Sequence, residues 1–363
     1  MLGLSGPELT SEEIALYRKI QPGGFILFTR NIVDPAQTRK LTDDLRDLCN
    51  HDPFIAIDNE GGGVWRTAAF GPTPPSAAAL AEENDPKLIA THGNLTGRLL
   101  AQIGVNFNLA PVLDVDHFPD KQNALRGRCW GTDDQRVVDH AGTFNRIMRK
   151  QGVMGCGKHF PAGGRAIIDP HYELPTVDTS LDDILSSDLI PYTALMPELD
   201  GIMLAHIHFP KIDTDSPGLP SSLSRKIITN LLRDQVGYNG LVLTDDLDMG
   251  AIQNHYGTPA AAKEAVLAGA DLLLLCHEFL NAEETLSALA DIPHAILDDA
   301  MQRIEKAQRK IVSPPSFDGC EVKQIHHEIA ELRSQVTGED PVEEMCPGQC
   351  PPRCEPQSPV EKY

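Results

Sequence analysis

The sequence predicts an α/β fold: a single (β/α)8 TIM-type barrel followed by a disordered C-terminal tail. Short apolar runs alternate with amphipathic helical patterns along most of the 363 residues, as in βα units that build a parallel sheet buried on both faces. The runs number eight, which favours a barrel over a doubly wound open sheet. Polar residues recur just past the C-terminal ends of these runs, where such a barrel carries its active site.

The elements follow in order. Met1–Leu4 reads as a first short strand, and Thr10-Ser11-Glu12-Glu13 as a capping box opening a helix. Gly24–Phe28 is the second strand. Asp34-Pro35 then supplies an N-cap with proline at N1, before a helix marked by Leu41, Leu45 and Leu48. Phe54–Asp58 is the third strand, and Asp85-Pro86 starts a helix with Leu88, His92, Leu95, Leu99 and Ile103 on one face. Val105–Val115 carries the fourth strand; Val137, Ala141, Phe144 and Met148 mark the helix behind it. Val153–Phe160 is the fifth and Gly201–Phe209 the sixth, with a helix from Leu223-Ser224 to near Gly237. Leu241–Asp246 is the seventh and Asp271–Cys276 the eighth. Helical patterns close the fold at Leu297, Met301, Ile304 and Ile311, then at Val322, Ile325, Ile329 and Leu332. Residues 1–335 thus form one domain, and 336–363, rich in Pro, Glu and Cys, form the tail.

Bulk properties narrow the partners. A formal net charge of −21 argues against nucleic acid or an anionic membrane surface. The N-terminus lacks a basic n-region and a long apolar stretch, and no apolar run approaches a membrane span. Cys49, Cys129, Cys156, Cys276 and Cys320 are scattered singly, which fits a reduced cytoplasmic compartment. Cys346, Cys350 and Cys354 lack a partner histidine or second cysteine pair, so they read as free thiols rather than a metal site.

The chemistry gathers at strand ends. Asp58 follows the third strand, Asp114 lies on the fourth, Lys158 and His159 on the fifth, His206 on the sixth and Asp245 on the seventh. Asp58-Asn59-Glu60-Gly61-Gly62-Gly63-Val64-Trp65-Arg66 adds an acid, glycines that permit close backbone approach, and a cation. The loop after Lys158-His159 carries Asp169-Pro170-His171. In extended backbone Asp169 and His171 point to one side, so the carboxylate could orient the imidazole as a general acid/base. An isolated Asp-x-His is otherwise an ordinary polar loop. Asp245 ends an apolar run, so a carboxylate of Asp245-Asp246 faces the mouth. A carboxylate opposite a protonatable group is the arrangement of a retaining glycosidase, here with histidine as the acid/base.

These residues sit in a longer series of motifs. They include Gly23-Gly24-Phe25-Ile26-Leu27-Phe28-x-Arg30-Asn31, Ile57-Asp58-x-Glu60-Gly61-Gly62-x-Val64-x-Arg66, Leu109-Ala110-Pro111-Val112-Leu113-Asp114-Val115, Arg128-Cys129-Trp130-Gly131, Lys158-His159-Phe160-Pro161, Ala205-His206 and Thr244-Asp245-Asp246-Leu247-x-Met249. In this order they resemble glycoside hydrolase family 3, and within it the bacterial cytosolic β-N-acetylglucosaminidases of peptidoglycan recycling. The resemblance implies a retaining exo-β-N-acetylglucosaminidase working through a covalent glycosyl-Asp intermediate. It implies Asp245 as nucleophile, His171 as acid/base paired with Asp169, and Asp58, Arg66, Arg128, Lys158 and His159 as holders of the sugar. His206 and Met249 are expected to line the pocket. The implied partner is a small sugar substrate, GlcNAc-anhydroMurNAc or a muropeptide, with no metal or organic cofactor and a monomeric enzyme.

One departure stands out. The family loop reads Lys-His-Phe-Pro-Gly-His-Gly and then an acidic residue, whereas here Ala162-Gly163-Gly164-Arg165 follows Pro161. Three rival readings remain: a phosphorylase on the same fold, for which Arg165 adds positive charge; a metal-dependent hydrolase built on His206-x-His208; and a binding module that has lost turnover.

Overall fold

The computed structural model describes residues 1–339. Its strands are β1 (Gly24–Leu27), β2 (Phe54–Ile57), β3 (Asn59–Gly61), β4 (Val64–Trp65), β5 (Phe107–Asn108), β6 (Met154–Phe160), β7 (Gly201–Leu204), β8 (Leu241–Asp246) and β9 (Leu272–Leu274). β3 and β4 form a small antiparallel hairpin, and the other seven build one curled, all-parallel sheet in the order β1-β2-β5-β6-β7-β8-β9. The expected first strand, Met1–Leu4, contributes isolated bridges: Leu2 pairs in parallel with Phe25 beside one edge and with Leu275 beside the other.

Both faces of the sheet are buried, and strand alternation sorts their side chains into two layers. Phe25, Leu27, Ile55, Ile57, Ile202 and Val242 pack outward with helical residues such as Leu41, Leu45, Leu95 and Leu99. Ile26, Ala56, Phe107, Met154, Met203, Leu243 and Leu274 pack against one another in a separate inner cluster. The helix starts read from sequence form through their caps. Thr10 and Glu13 cap each other reciprocally at 3.1 and 2.7 Å, and Asp34 and Asp85 accept from Gln37 and Lys87 at 2.9 and 2.8 Å.

The structure corrects several boundaries. The regular strand in the fourth run ends at Asn108; beyond it the chain keeps single bonds, from Leu109 N–H to the Ile57 carbonyl and from Cys156 and Lys158 N–H to the Ala110 and Pro111 carbonyls, and Val112 bridges Lys158. The sixth strand stops at Leu204, and His208 instead bridges Thr176 and Pro220. The helix expected from Leu223 spans Lys226–Gln235 with the wider i→i+5 winding. Helices that the sequence reading omitted fill two βα units: Leu181–Leu185 and Leu189–Leu195 before β7, and Thr258–Ala268 before β9. The last buries Ala261, Ala262 and Ala265, a face too small-chained to register as an apolar stripe.

The final helix, Gly319–Thr337, continues past residue 335; Cys346, Cys350 and Cys354 lie outside the described residues. Cys49, Cys129, Cys156, Cys276 and Cys320 are free thiols. Among the described residues, no helix is long and apolar enough to cross a membrane.

Candidate active site

Two open cavities adjoin at the C-terminal ends of the strands. The larger, about 660 Å³, is lined by Asp58, Arg66, Arg128, Lys158, His159, His171, Asp245 and Met249, with Phe28, Asp246, Asp248 and His277 around them. The smaller, about 450 Å³, shares Arg128, His159, His171 and Asp245, and adds His206 with an apolar wall of Leu125, Ala166, Ile168 and Ile207. Of the catalytic and sugar-holding residues expected from sequence, all but Asp169 line one or both cavities; Asp169 reaches the site through His171, and Asp114 lies behind His159.

One wall is an ion relay. The Lys158 ammonium bonds Asp58 at 2.7 Å and Glu60 at 2.6 Å. Arg128 donates through two nitrogens to both oxygens of Glu60, each at 2.8 Å. Arg66 lies 3.8 Å from the other oxygen of Asp58 and 5.4 Å from the centre of the Phe28 ring. Burial alone would raise the Glu60 carboxyl and lower its two cations. Mutual attraction reverses both, holding Glu60 far below the carboxylate range and Lys158 and Arg128 above theirs. The row alternates charge, + − + − +, and offers donors and acceptors side by side, the chemistry that vicinal hydroxyls match.

Asp114 fastens the next segment. Its Oδ2 accepts from the His159 backbone at 3.0 Å and lies 2.8 Å from the ring Nδ1. Its Oδ1 accepts from the Gly164 backbone at 3.1 Å. Residue 164 must be glycine here, since a Cβ would fall 1.9 Å from the Val115 carbonyl oxygen. Arg165, the cation new to this loop, donates to Asp188 at 2.7 Å. Asp188 is buried and also meets His117 at 2.8 Å.

The Asp169–His171 pair forms, though by a different geometry from the one expected. The chain turns rather than extends: Tyr172 and Glu173 N–H both reach the Asp169 carbonyl, at 3.1 and 3.4 Å. One carboxylate oxygen, Asp169 Oδ1, holds the His171 backbone at 3.0 Å and its ring Nδ1 at 2.6 Å. Burial pushes the Asp169 carboxyl up, but these bonds outweigh it and hold the group below its ordinary value. Nδ1 being engaged, Nε2 is the ring atom on the opposite side.

Asp245 lines both cavities, at the end of β8. Burial raises its carboxyl; His206, His159 and His171 more than offset that, so the group lies below its ordinary value and is ionised at neutral pH. Its neighbour Asp246 behaves oppositely. Burial and the Asp248 charge push it up to about 8, so two adjacent carboxyls differ in protonation. Asp246 Oδ1 accepts from the backbones of Asp248 and Cys276, at 3.1 and 3.2 Å.

His206 and His208 do not converge on one point. His206 bonds Ser222 Oγ at 2.7 Å and the Asp246 carbonyl at 2.9 Å, while His208 Nε2 accepts from Gly218 N–H at 3.0 Å. The His-x-His spacing assumed a strand that ends before either residue.

Sequence reasoning gave no role to Glu60, Asp246, Asp248 or His277. A signal existed for two. Glu60 is two residues from Asp58, hence on its side of an extended chain, and His277 directly follows the eighth run.

The profile of the glycosyl hydrolase family 3 N-terminal domain matches residues 4–313. A beta-hexosaminidase of Pseudomonas aeruginosa is 34% identical over 290 residues, 80% of this chain and 85% of that one. Among solved structures, a glycoside hydrolase family 3 beta-N-acetylglucosaminidase from Paenibacillus sp. superposes with a TM-score of 0.83 at 30% identity, over 92% of this chain and 67% of that one. NagZ of Neisseria gonorrhoeae, solved alone and with N-trifluoroacetyl-D-glucosamine, gives 0.78 at 25% identity, over 92% and 97%.

Proposed function

The chain belongs to glycosyl hydrolase family 3 and is a glycoside hydrolase, and from that premise we propose that it is a retaining exo-β-N-acetylglucosaminidase. In this reading residues 1–335 form a catalytic (β/α)8 barrel. Its closure by Met1–Leu4 is supported by the bridges of Leu2 to Phe25 and Leu275 and by the self-contained inner layer of side chains.

The observation that carries the reading is the meeting of Asp245 and His171 on the same two cavities, with Asp169 bonded to the His171 ring. In the first step the Asp245 carboxylate attacks the anomeric carbon. His171 gives its proton to the departing glycosidic oxygen, leaving a glycosyl ester on Asp245. In the second, neutral His171 takes a proton from water, the water oxygen attacks the same carbon, and Asp245 leaves as carboxylate. Two inversions give retention. Asp169 orients the His171 ring through Nδ1, and the lowered pKa of Asp245 keeps the nucleophile ionised.

The ion relay from Arg66 to Arg128 would grip the hydroxyls and acetamido group of a terminal GlcNAc, for which the N-trifluoroacetyl-D-glucosamine complex of the Neisseria gonorrhoeae protein is the supporting parallel. We take the natural substrate to be GlcNAc-anhydroMurNAc or a related muropeptide, cleaved in the cytoplasm by a monomer. Nothing favours phosphorolysis, since Arg165 is already paired with Asp188.

The test is product analysis by NMR on an aryl β-N-acetylglucosaminide, with and without phosphate. The β-anomer of GlcNAc should appear first in both. Initial α-anomer would refute retention, and N-acetylglucosamine 1-phosphate would refute simple hydrolysis.

A further inference from the structure

The loop that carries His171 is held from outside the site by the segment that follows β8. The backbone N–H of Ala251 donates to the Pro170 carbonyl at 3.1 Å, and that of Gly250 to the His171 carbonyl at 3.0 Å. Asn254 Nδ2 donates to the Tyr172 carbonyl at 2.9 Å, and His255 Nε2 lies 2.7 Å from Glu173 Oε1. Four consecutive loop residues, 170–173, are thus met by one stretch, 250–255. The two backbone donors open the short helix Gly250–Gln253, where N–H groups have no partner within the helix.

The approach depends on residue 250 having no side chain. A Cβ there would fall 2.5 Å from the Tyr172 carbonyl oxygen and 2.8 Å from that of His171, closer than packed atoms tolerate. The same stretch leads directly from Asp245 and from Met249, which lines the larger cavity. The backbone that places the carboxylate at the cavity therefore also anchors the loop that carries the imidazole.

We propose that Gly250 and Asn254 are positioning residues for acid/base catalysis, acting through the main chain of residues 170–172 to hold His171 in register with Asp245. The inference rests on the reading of His171 as the acid/base. It adds that the acid is registered by a clasp of which Gly250 and Asn254 are parts that line neither cavity.

The experiment compares kcat/KM on two substrates, a 2,4-dinitrophenyl β-N-acetylglucosaminide that departs with little acid assistance and the N-acetylglucosamine disaccharide that requires it. His171→Ala, Gly250→Ala and Asn254→Ala are measured in parallel. Acid assistance is worth roughly 10²–10⁴-fold. Gly250→Ala should lower the disaccharide value at least about tenfold more than the aryl value, and Asn254→Ala should shift the ratio the same way by about threefold. Azide, which attacks without a general base, should restore kcat on the aryl substrate for both. If Gly250→Ala does not fold, the exposed Asn254 decides alone. An unchanged substrate ratio in both clasp variants, with a raised ratio in His171→Ala, would overturn the clasp and leave the proposed function standing. Equal losses on both substrates in His171→Ala would overturn the proposed function, and the clasp with it.

Discussion

The catalytic proposal turns on two carboxyls that are neighbours in sequence and opposite in charge state. Asp245 is stabilised as an anion by three histidines, whereas Asp246 is held protonated up to about 8 by burial and by Asp248. Asp245→Asn should reduce turnover by roughly 10³-fold or more, because a carboxamide cannot form the ester; steady-state kinetics on an aryl substrate measures it. Asp246 predicts a pH effect of definite sign. Its folded pKa of about 8 lies above its ordinary 3.8, so between those values the folded protein keeps a proton that the unfolded chain releases. Stability from this group is therefore present at low pH and is lost as pH rises toward about 8. Asp246→Asn, neutral throughout, should flatten the fall in melting temperature from about pH 5 to about pH 8; an unchanged slope relative to wild type would contradict it. Much of this residue layer was legible. Asp58, Lys158, His159 and Asp245 announce themselves as polar ends of apolar runs. Glu60 offered only its spacing from Asp58; its pairing with Lys158 and Arg128 runs across the fold, where sequence leaves no mark.

At the scale of elements, the site depends on how loops are fastened to strand ends. The loop after β6 is pinned at its start by Asp114, which grips His159 and Gly164, and by the Arg165–Asp188 pair. Gly164→Ala would set a Cβ against the Val115 carbonyl. The variant should lose roughly tenfold or more in kcat/KM, the scale of a misplaced catalytic group, while its circular dichroism spectrum stays that of wild type; full activity would show that the loop yields without consequence. The capping residues Thr10, Asp34 and Asp85 made helix starts readable, because a cap is local chemistry. Ends of strands were harder. Val105–Val115 looks continuous in sequence but is a regular strand only at Phe107–Asn108, and Gly201–Phe209 leaves the sheet after Leu204. Asp169 and His171 were paired in advance by the wrong geometry: a turn, not an extended strand, brings them together.

Across the whole molecule, stability and chemistry occupy opposite ends of the sheet. Asp200 and Asp271 immediately precede β7 and β9, at the ends away from the cavities. Asp271 bonds Arg233 at 2.6 Å and Arg303 at 2.7 Å, and Asp200 bonds Arg149 at 2.7 Å and Lys310 at 3.0 Å. These buried carboxylates tie outer helices to the sheet. Removing one partner of such a pair costs about 3–5 kcal/mol, so Asp271→Ala should lose about that much in urea unfolding and keep kcat/KM near wild type at 25 °C. A large loss of activity in the folded variant would show that the two ends are coupled. The α/β class and the order of strands were readable because a parallel sheet buried on both faces demands near-continuous apolar runs; Met1–Leu4, read as the first strand, makes only the single bridges of Leu2 to Phe25 and Leu275. The central claim, a glycosyl ester on Asp245, is tested most directly by intact-protein mass spectrometry after incubation with a 5-fluorinated N-acetylglucosaminyl fluoride, which forms the adduct faster than it releases it. A mass gain of one fluorosugar, mapped to the peptide containing Asp245, is the result expected. Turnover of the reagent with no mass gain, or a label on any other residue, would contradict it.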